Sequence, residues 1–415
     1  MSTRYRLYPT PAQELILREH CAHARFVWNL AVEQQSWWRP GRKNAPGYAE
    51  QSRQLTEARS EFDWLRAGSS EVQGQALRDF AQAMQNFFGR THGHPTWRKA
   101  GRNEGFRVHD LGRGYRVKRQ SRHWGAVQIP KLGWVRFRWS RSVPEAKSYR
   151  VTLDRAGRWH VSFAALQPAV VREPSGSRIG IDRSVRTALV TSGGQHYRAP
   201  RIGDRDAARY CTLARKRARQ QKGSAKRKRT VLAMARITAG TVDRRKDWAE
   251  KVSTRMVREN DLIVLEKLNI AGMTRRPAPK PDPGQPSAFL RNGARAKASL
   301  SRGILTSCWG TLATRLEQKA AASDVTVLFV NPRFTSQQCH ICGHTNALNR
   351  ESQAVFRCQE CGHEDHADVN AARNVLARGL IATGGEIPAH AGGHPALCPQ
   401  KPAQFAAAGT ARSAA

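Results

Sequence analysis

The chain has 415 residues and carries 70 Lys plus Arg against 32 Asp plus Glu, a formal net charge of +38. Self-repulsion on that scale calls for a polyanionic partner, and nucleic acid is the obvious one, because its phosphates release counterions when Lys and Arg bind. No stretch reaches the roughly 18 consecutive apolar residues of a spanning helix, and "MSTRYRLYPTPAQ" has no apolar signal core, so a membrane partner is excluded and a cytoplasmic protein is expected.

Apolar residues make up 40% of the chain, enough for two to four compact units. "RYRLYP" reads as a first strand. Thr10 then caps a helix, Pro11 suits its first turn and Gln13 completes a capping box. Leu17, Cys21, Ala24, Trp28 and Ala31 recur at helical spacing until "RPGRKNAPG" breaks the pattern. A second helix opens near Ser70, with Val72, Ala76, Leu77, Phe80, Met84 and Phe87 as its stripe.

The period then changes to two. "VQIPKLGWVRFRWS" and "SYRVTLDRAGRWHVSF" alternate apolar and polar residues around glycine-containing turns, which predicts a small antiparallel barrel or sheet that the first strand joins. The alternation leaves Trp134 and Trp139 ambiguous between core and base stacking. From Arg178, "RIGIDRSVRTALVTSGG" reads as strand, turn, strand. Ala207 to Val242 reads as a basic helical stretch without one acidic residue. "DLIVLEKLNI" and "VTVLFVNP" read as strands buried on both faces, "RRPAPKPDPGQPS" as a Pro-rich connector, and the chain beyond about Gly384 as a loose tail.

Cys339-x-x-Cys342 and Cys358-x-x-Cys361, fifteen residues apart, fall in the four-cysteine zinc pattern. Each pair closes a tight turn that aims two thiolates at one ion, and Gly343 and Gly362 supply the relaxed backbone that turn needs. Four thiolates fill a tetrahedral zinc, so one structural zinc is expected. Free or redox thiols are the alternative, and His340, His344, His363 and His366 are competing donors. Cys21, Cys211, Cys308 and Cys398 are scattered, which suits a reducing compartment.

Three acids stand in distinctive settings. Asp182 follows "IGI", Glu266 ends "LIVL", and Asp368 opens the helical stripe Val369, Ala372 and Leu376. Acids at the ends of buried strands are costly unless paired. If these three converge they can hold magnesium, which prefers hard oxygen ligands, and two such ions suit phosphodiester hydrolysis. Each also has an ordinary reading: Asp368 as a helix cap, Asp182 as a turn cap, Glu266 as the partner of a neighbouring Lys. The densest charge is "RKRARQQKGSAKRKR", and its Arg215, Lys216, Arg217, Arg219, Lys226, Arg227, Lys228 and Arg229 are read as phosphate contacts, because no acid lies nearby to pair with them.

These motifs together resemble the transposon-encoded TnpB family, related to the miniature type V CRISPR effectors. "IGID", "VLEKLNIAGM" and "HADVNAARN" resemble the three RuvC motifs of that family. "NPRFTSQQCHICG" with "CQECG" resembles its zinc segment, and "YRLYPTPAQ" its start; "RRKDWAEKVST" and "CWGTLATRLEQKA" resemble stretches between the motifs. The likeness spans Arg178 to about Gly379 and, more thinly, the first thirty residues. It departs at Arg183-Ser184-Val185, at His340 where Ser is common, and at Phe334 where Tyr is common.

The resemblance implies an α+β multidomain protein. Its parts would be the first strand of a β-barrel (wedge) domain over 1–10, a helical recognition domain over 11–92, the barrel over 93–174, an RNase H-like (RuvC) nuclease domain over 175–331, a zinc-ribbon insert over 332–363, the last nuclease helix over 364–384 and a tail over 385–415. It implies that Asp182, Glu266 and Asp368 are catalytic and hold two magnesium ions, with Asp365 a rival for the third place. It further implies a magnesium-dependent DNA endonuclease directed by a structured guide RNA to matching target DNA beside a short flanking motif. A guided DNA-binding repressor that does not cut, and a structure-specific nuclease without a guide, are the alternatives. Oligomeric state is left open.

Overall fold

A computed structural model describes residues 2–38, 45–109, 116–166 and 168–384; the expected tail over 385–415 and much of the "RPGRKNAPG" loop lie outside the described residues. The chain forms two compact units, Met1–Pro168 with Ile202–Asp243, and Ala169–Arg201 with the chain from Arg244 onward. No helix among the described residues is long and apolar enough to cross a membrane.

In the first unit, Ser2–Arg6 pairs with Trp159–Ala164, which pairs with Ser148–Leu153, which pairs with Gly105–His109, all antiparallel. Val117–Arg119, Trp124–Ile129 and Gly133–Arg138 form a second antiparallel sheet, and the Leu7–Phe137 bridge joins the two. The alternation sends Val135 and Phe137 inward. Phe137 meets Tyr5 and Phe163 in edge-on and tilted contacts that fix the core. Trp139 stacks on Phe137, whereas Trp134 stays exposed beneath the Lys118 ammonium. The Pro11–Ser36 helix carries the capping box of Thr10 and Gln13, and Trp28 packs edge-on against Phe80 of the Ser70–Phe88 helix.

Two helices, Tyr48–Glu61 and Asp63–Ala67, give no sequence stripe, because only Gln51, Leu55 and Leu65 on them are buried. The basic stretch is not one helix. Asp204–Arg219 and Ala225–Glu259 are separate, with Gly223 at φ 87° in the break. Arg227 there donates to the carbonyls of Arg217 (2.6 Å) and Gln220 (2.8 Å), so it closes a helix end; of the phosphate contacts read from this run, Arg227 is the one the structure ties to the protein's own backbone.

The second unit is built on a sheet in the order His196–Tyr197, Leu189–Thr191, Arg178–Asp182, Leu262–Glu266, Thr326–Val330. The last three strands are parallel. Leu262–Glu266 is central and buried throughout. Thr326–Val330 is the edge strand, and only Val330 is buried, so the expectation of a strand buried on both faces is corrected there: among the described residues no strand pairs with its outer side. The Pro-rich connector contains a small hairpin, Lys280–Asp282 with Gln285–Leu290, whose prolines had masked it.

One face of this sheet, through Ile181, Ile263 and Leu265, packs on Trp309, Leu312 and Leu316 and on Ala249, Val252 and Met256. The other face receives the Ala367–Ala382 helix. That contact is very close. A Cβ on Gly180 would lie 2.2 Å from the Ala372 carbonyl oxygen, and one on Gly379 would lie 2.3 Å from Val264 Cγ2. Gly180→Ala therefore has to push a helix backbone off the sheet. We expect it to cost about 1–3 kcal/mol or more, read as a lowered unfolding midpoint together with loss of function at the sheet end described next.

Candidate active site and zinc knot

Parallel register sets up the site. Ile181 lies beside Leu265, so the next residues, Asp182 and Glu266, end adjacent strands side by side. Side chains alternate along a strand; Asp182 and Glu266 therefore share the face of Gly180 and Val264, against which the last helix packs. Asp368 sits in the first turn of that helix, next to the same strand ends. Its residue is not the cap: His366 is, through a 3.2 Å bond from the Asp368 N–H to His366 Nδ1. Three elements distant in sequence thus bring Asp182, Glu266 and Asp368 together at the carboxyl end of a parallel sheet, where open α/β sheets place their sites.

Asp182 feels both of the other carboxylates. Burial, then the charges of Glu266 and Asp368, push Asp182 well above the usual carboxylate range. Burial also raises Glu266, opposed by the Thr335 hydroxyl, which donates to Glu266 Oε1 at 3.0 Å, and by Arg183. The Arg183 guanidinium is itself buried and donates to the Glu266 carbonyl. Arg350 reaches from the cysteine segment to Asp368 Oδ1 at 2.9 Å. Glu266 and Asp368 are 6% and 5% exposed, so neither can be screened by bulk water.

Asp182, raised by burial and then by the charges of Glu266 and Asp368, stands with them as a set of hard oxygen donors of the kind that suits a divalent cation. Asp365, the rival, is turned elsewhere. It accepts from Arg373 (2.9 Å) and from the His366 N–H (2.7 Å). With His340 and His363 it forms a second donor cluster, but the Arg373 guanidinium occupies it, 3.1 Å from His340 Nε2.

Sequence reasoning gave no role to Thr335, Arg350, Asn370 or Asn374. Asn370 and Asn374, one helical turn apart, both donate to the Gln338 carbonyl (2.8 and 2.6 Å), and Asn374 also to that of Thr335. They clamp the root of the cysteine segment to the helix that bears Asp368. The available signal was two amides on one helix face beside an acid, which is legible only once their partners are known.

The four cysteine sulfurs gather within 4.8 Å of one another. Cys339 Sγ lies 3.7 Å from Cys361 Sγ, and Cys342 Sγ 3.5 Å from Cys358 Sγ. Four sulfurs about 2.3 Å from a tetrahedral zinc would be about 3.8 Å apart, whereas a disulfide needs about 2.05 Å. The two knuckles repeat one pattern: Gly343 N–H to the Cys339 carbonyl (3.0 Å) and Gly362 N–H to the Cys358 carbonyl (3.1 Å), each glycine at positive φ. The donor set fits a structural zinc with no open position. The eight basic candidates lie in the first unit; Arg215, Lys216, Arg217, Arg219, Lys226, Lys228 and Arg229 are exposed there, away from any core.

Two outcomes follow. A carboxyl whose pKa is raised by folding stabilises fully only below its unfolded pKa, and that contribution is lost as pH rises through the folded value. Metal-free Asp182→Asn should therefore unfold a few degrees higher than wild type at neutral pH, and the gain should vanish below about pH 4; thermal melts across pH in chelator check this. Cys358→Ser, or removal of zinc, should expose residues 332–363 to protease, and elemental analysis should find one zinc per wild-type chain.

Comparison with known proteins agrees with this architecture. Residues 309–375 match the family described as "Cas12f1-like, TNB domain", residues 150–276 "Probable transposase", and residues 1–43 "Helix-turn-helix domain". A relative from Escherichia coli (strain K12), "Putative RNA-guided DNA endonuclease InsQ", is 31% identical over 91% of both chains. One from Streptomyces pristinaespiralis, "Putative RNA-guided DNA endonuclease", is 30% identical over 92% of this chain and 89% of that protein. The solved Cas12f1-sgRNA-target DNA complex shares the fold at TM-score 0.53 and 15% identity, covering 88% of this chain and 83% of that one. At this identity over 91% and 92% of its length, the chain belongs to the TnpB family of RNA-guided nucleases, close to the miniature type V effectors.

Proposed function

We propose that this protein is a magnesium-dependent DNA endonuclease that takes its sequence specificity from a bound guide RNA. The observation that carries the reading is that Asp182, Glu266 and Asp368 come from three separate elements to one sheet end, with Asp182 raised first by burial and then by the charges of the other two. A protein that only bound DNA would have no use for three neighbouring carboxylates, two of them buried, at the end of one sheet. A net charge of +38 suits simultaneous grip on an RNA and a DNA duplex, and we propose that the protein works on DNA in the cytoplasm.

In this reading the three carboxylates hold two magnesium ions, which when bound supply an activated water and neutralise the charge that develops on the leaving oxygen. The chain's own groups set the geometry. The Thr335 hydroxyl fixes the rotamer of Glu266, and Arg183 anchors the strand end through the Glu266 carbonyl. Arg350 brings to Asp368 a guanidinium, a group suited to forked binding of a phosphate diester. The zinc ribbon is structural, and it carries Arg350 and Thr335 to the site. We further propose the sequence-derived partition into wedge, recognition, RuvC-like and ribbon domains as its working parts, with the exposed basic residues at the end of the Asp204–Arg219 helix and at the start of the Ala225–Glu259 helix on phosphate.

Asp182→Ala, Glu266→Ala and Asp368→Ala should each lower cleavage by several powers of ten while target affinity, measured on the same guide complex at one salt concentration, changes little. Asp365→Ala should keep most activity. Removing Lys216, Arg217 and Arg219 together should weaken nucleic-acid binding and flatten its salt dependence by about 3 units of slope.

A further inference from the structure

The turn that joins the edge strand to the zinc ribbon holds an aromatic residue in a costly conformation. Phe334 has φ 64°, the left-handed region, which a bulky side chain rarely adopts. Its ring is 47% exposed and belongs to none of the hydrophobic clusters. Burial therefore gives nothing back for the strain.

The turn is held in place from outside. Arg378 of the last helix donates to the carbonyls of Asn331 (2.7 Å) and Arg333 (2.8 Å) and to Gln338 Oε1 (3.0 Å). The Phe334 carbonyl accepts from Gln337 and Gln338, both at 3.0 Å, and Asn374 holds the next carbonyl, that of Thr335. Strained backbone persists where its surroundings over-determine it, and it collects at functional sites. The neighbour in sequence is Thr335, whose hydroxyl holds Glu266. Adjacent Cα atoms are about 3.8 Å apart, so the exposed Phe334 is one residue from the hydroxyl that holds Glu266. The Arg333 guanidinium lies 4.7 Å from the ring centroid and sets a cation beside it.

We infer that Phe334 is a stacking residue for the DNA strand being cut: its ring receives an unpaired base that flanks the scissile phosphate, while Arg333 faces the backbone. An exposed aromatic beside an arginine is the combination that grips single strands without reading their sequence. The occupant is a single-stranded nucleotide and not a duplex, because only an unstacked base offers a free face to the ring. The inference rests on the nuclease reading above and adds a positioning role to that site.

The test uses the full-length protein in its guide complex with matched DNA, under single-turnover conditions. Phe334→Gly removes the ring and leaves a residue at ease at φ 64°, so it relieves the strain and keeps the turn. Cleavage should fall roughly 5- to 150-fold, with target affinity and zinc content unchanged, and Phe334→Trp should restore most of it. In parallel, abasic sites are placed one at a time along each strand around the cut. At one or two positions an abasic site should slow the wild type by a similar factor and slow Phe334→Gly no further. Wild-type cleavage by Phe334→Gly overturns the inference, as does abasic slowing that is equal in both proteins at every position. Loss of zinc or of target binding in Phe334→Gly would assign the ring a structural role and overturn it as well. If the wild-type complex makes no cut, the nuclease reading itself is what fails.

Discussion

Asp182 is held beside two buried carboxylates whose charges oppose its own, and much of the second unit is arranged to keep the three together. Asp182 and Glu266 are fixed by parallel register, and Asp368 is fixed by a helix that lies almost in contact with the sheet backbone at Gly180 and Gly379. Without those two glycines the helix could not approach, and its first turn would not reach the strand ends. The hydrogen bonds around the site serve the same constraint. Thr335 and Arg183 hold Glu266 from two sides, Arg350 faces Asp368, and Asn370 and Asn374 tie the helix to the segment from which Thr335 and Arg350 come.

The zinc knot has its place in that arrangement. Its four sulfurs close two knuckles whose inner core is no more than Phe356, Ala367 and the cysteines themselves. A cluster so small does not fold on burial alone, and metal ligation stands in for the missing core. The ribbon in turn is the platform from which Arg350 reaches Asp368. A structural ion is thereby coupled to the proposed catalytic centre without offering a coordination position of its own.

What the sequence showed, it showed through local rules. The capping box at Thr10 and Gln13, the alternation about Val135 and Phe137, the run Leu262–Glu266 and the paired cysteines depend on neighbours within a few residues, and they can be read as written. Asp182, Glu266 and Asp368 were named from their settings and motif likeness; that they meet depends on register and on helix approach, neither of which is local. Thr335, Arg350, Asn370 and Asn374 stayed silent because their roles consist wholly of partners 18 to 69 positions away. Thr326–Val330 read as fully buried because composition does not distinguish a central strand from an edge. Arg227 read as a phosphate ligand because a charge run does not reveal which member turns back to close a helix.

The central claim is that the three carboxylates act by holding divalent metal for DNA cleavage. The most direct measurement strips the guide complex of divalent ions under conditions that leave zinc bound, confirms zinc by elemental analysis, and follows single-turnover cleavage of matched DNA as magnesium is returned. The account predicts full target binding with no cutting before magnesium is added, and cutting that rises with magnesium to a plateau. Cutting at the full rate in the stripped complex would contradict it.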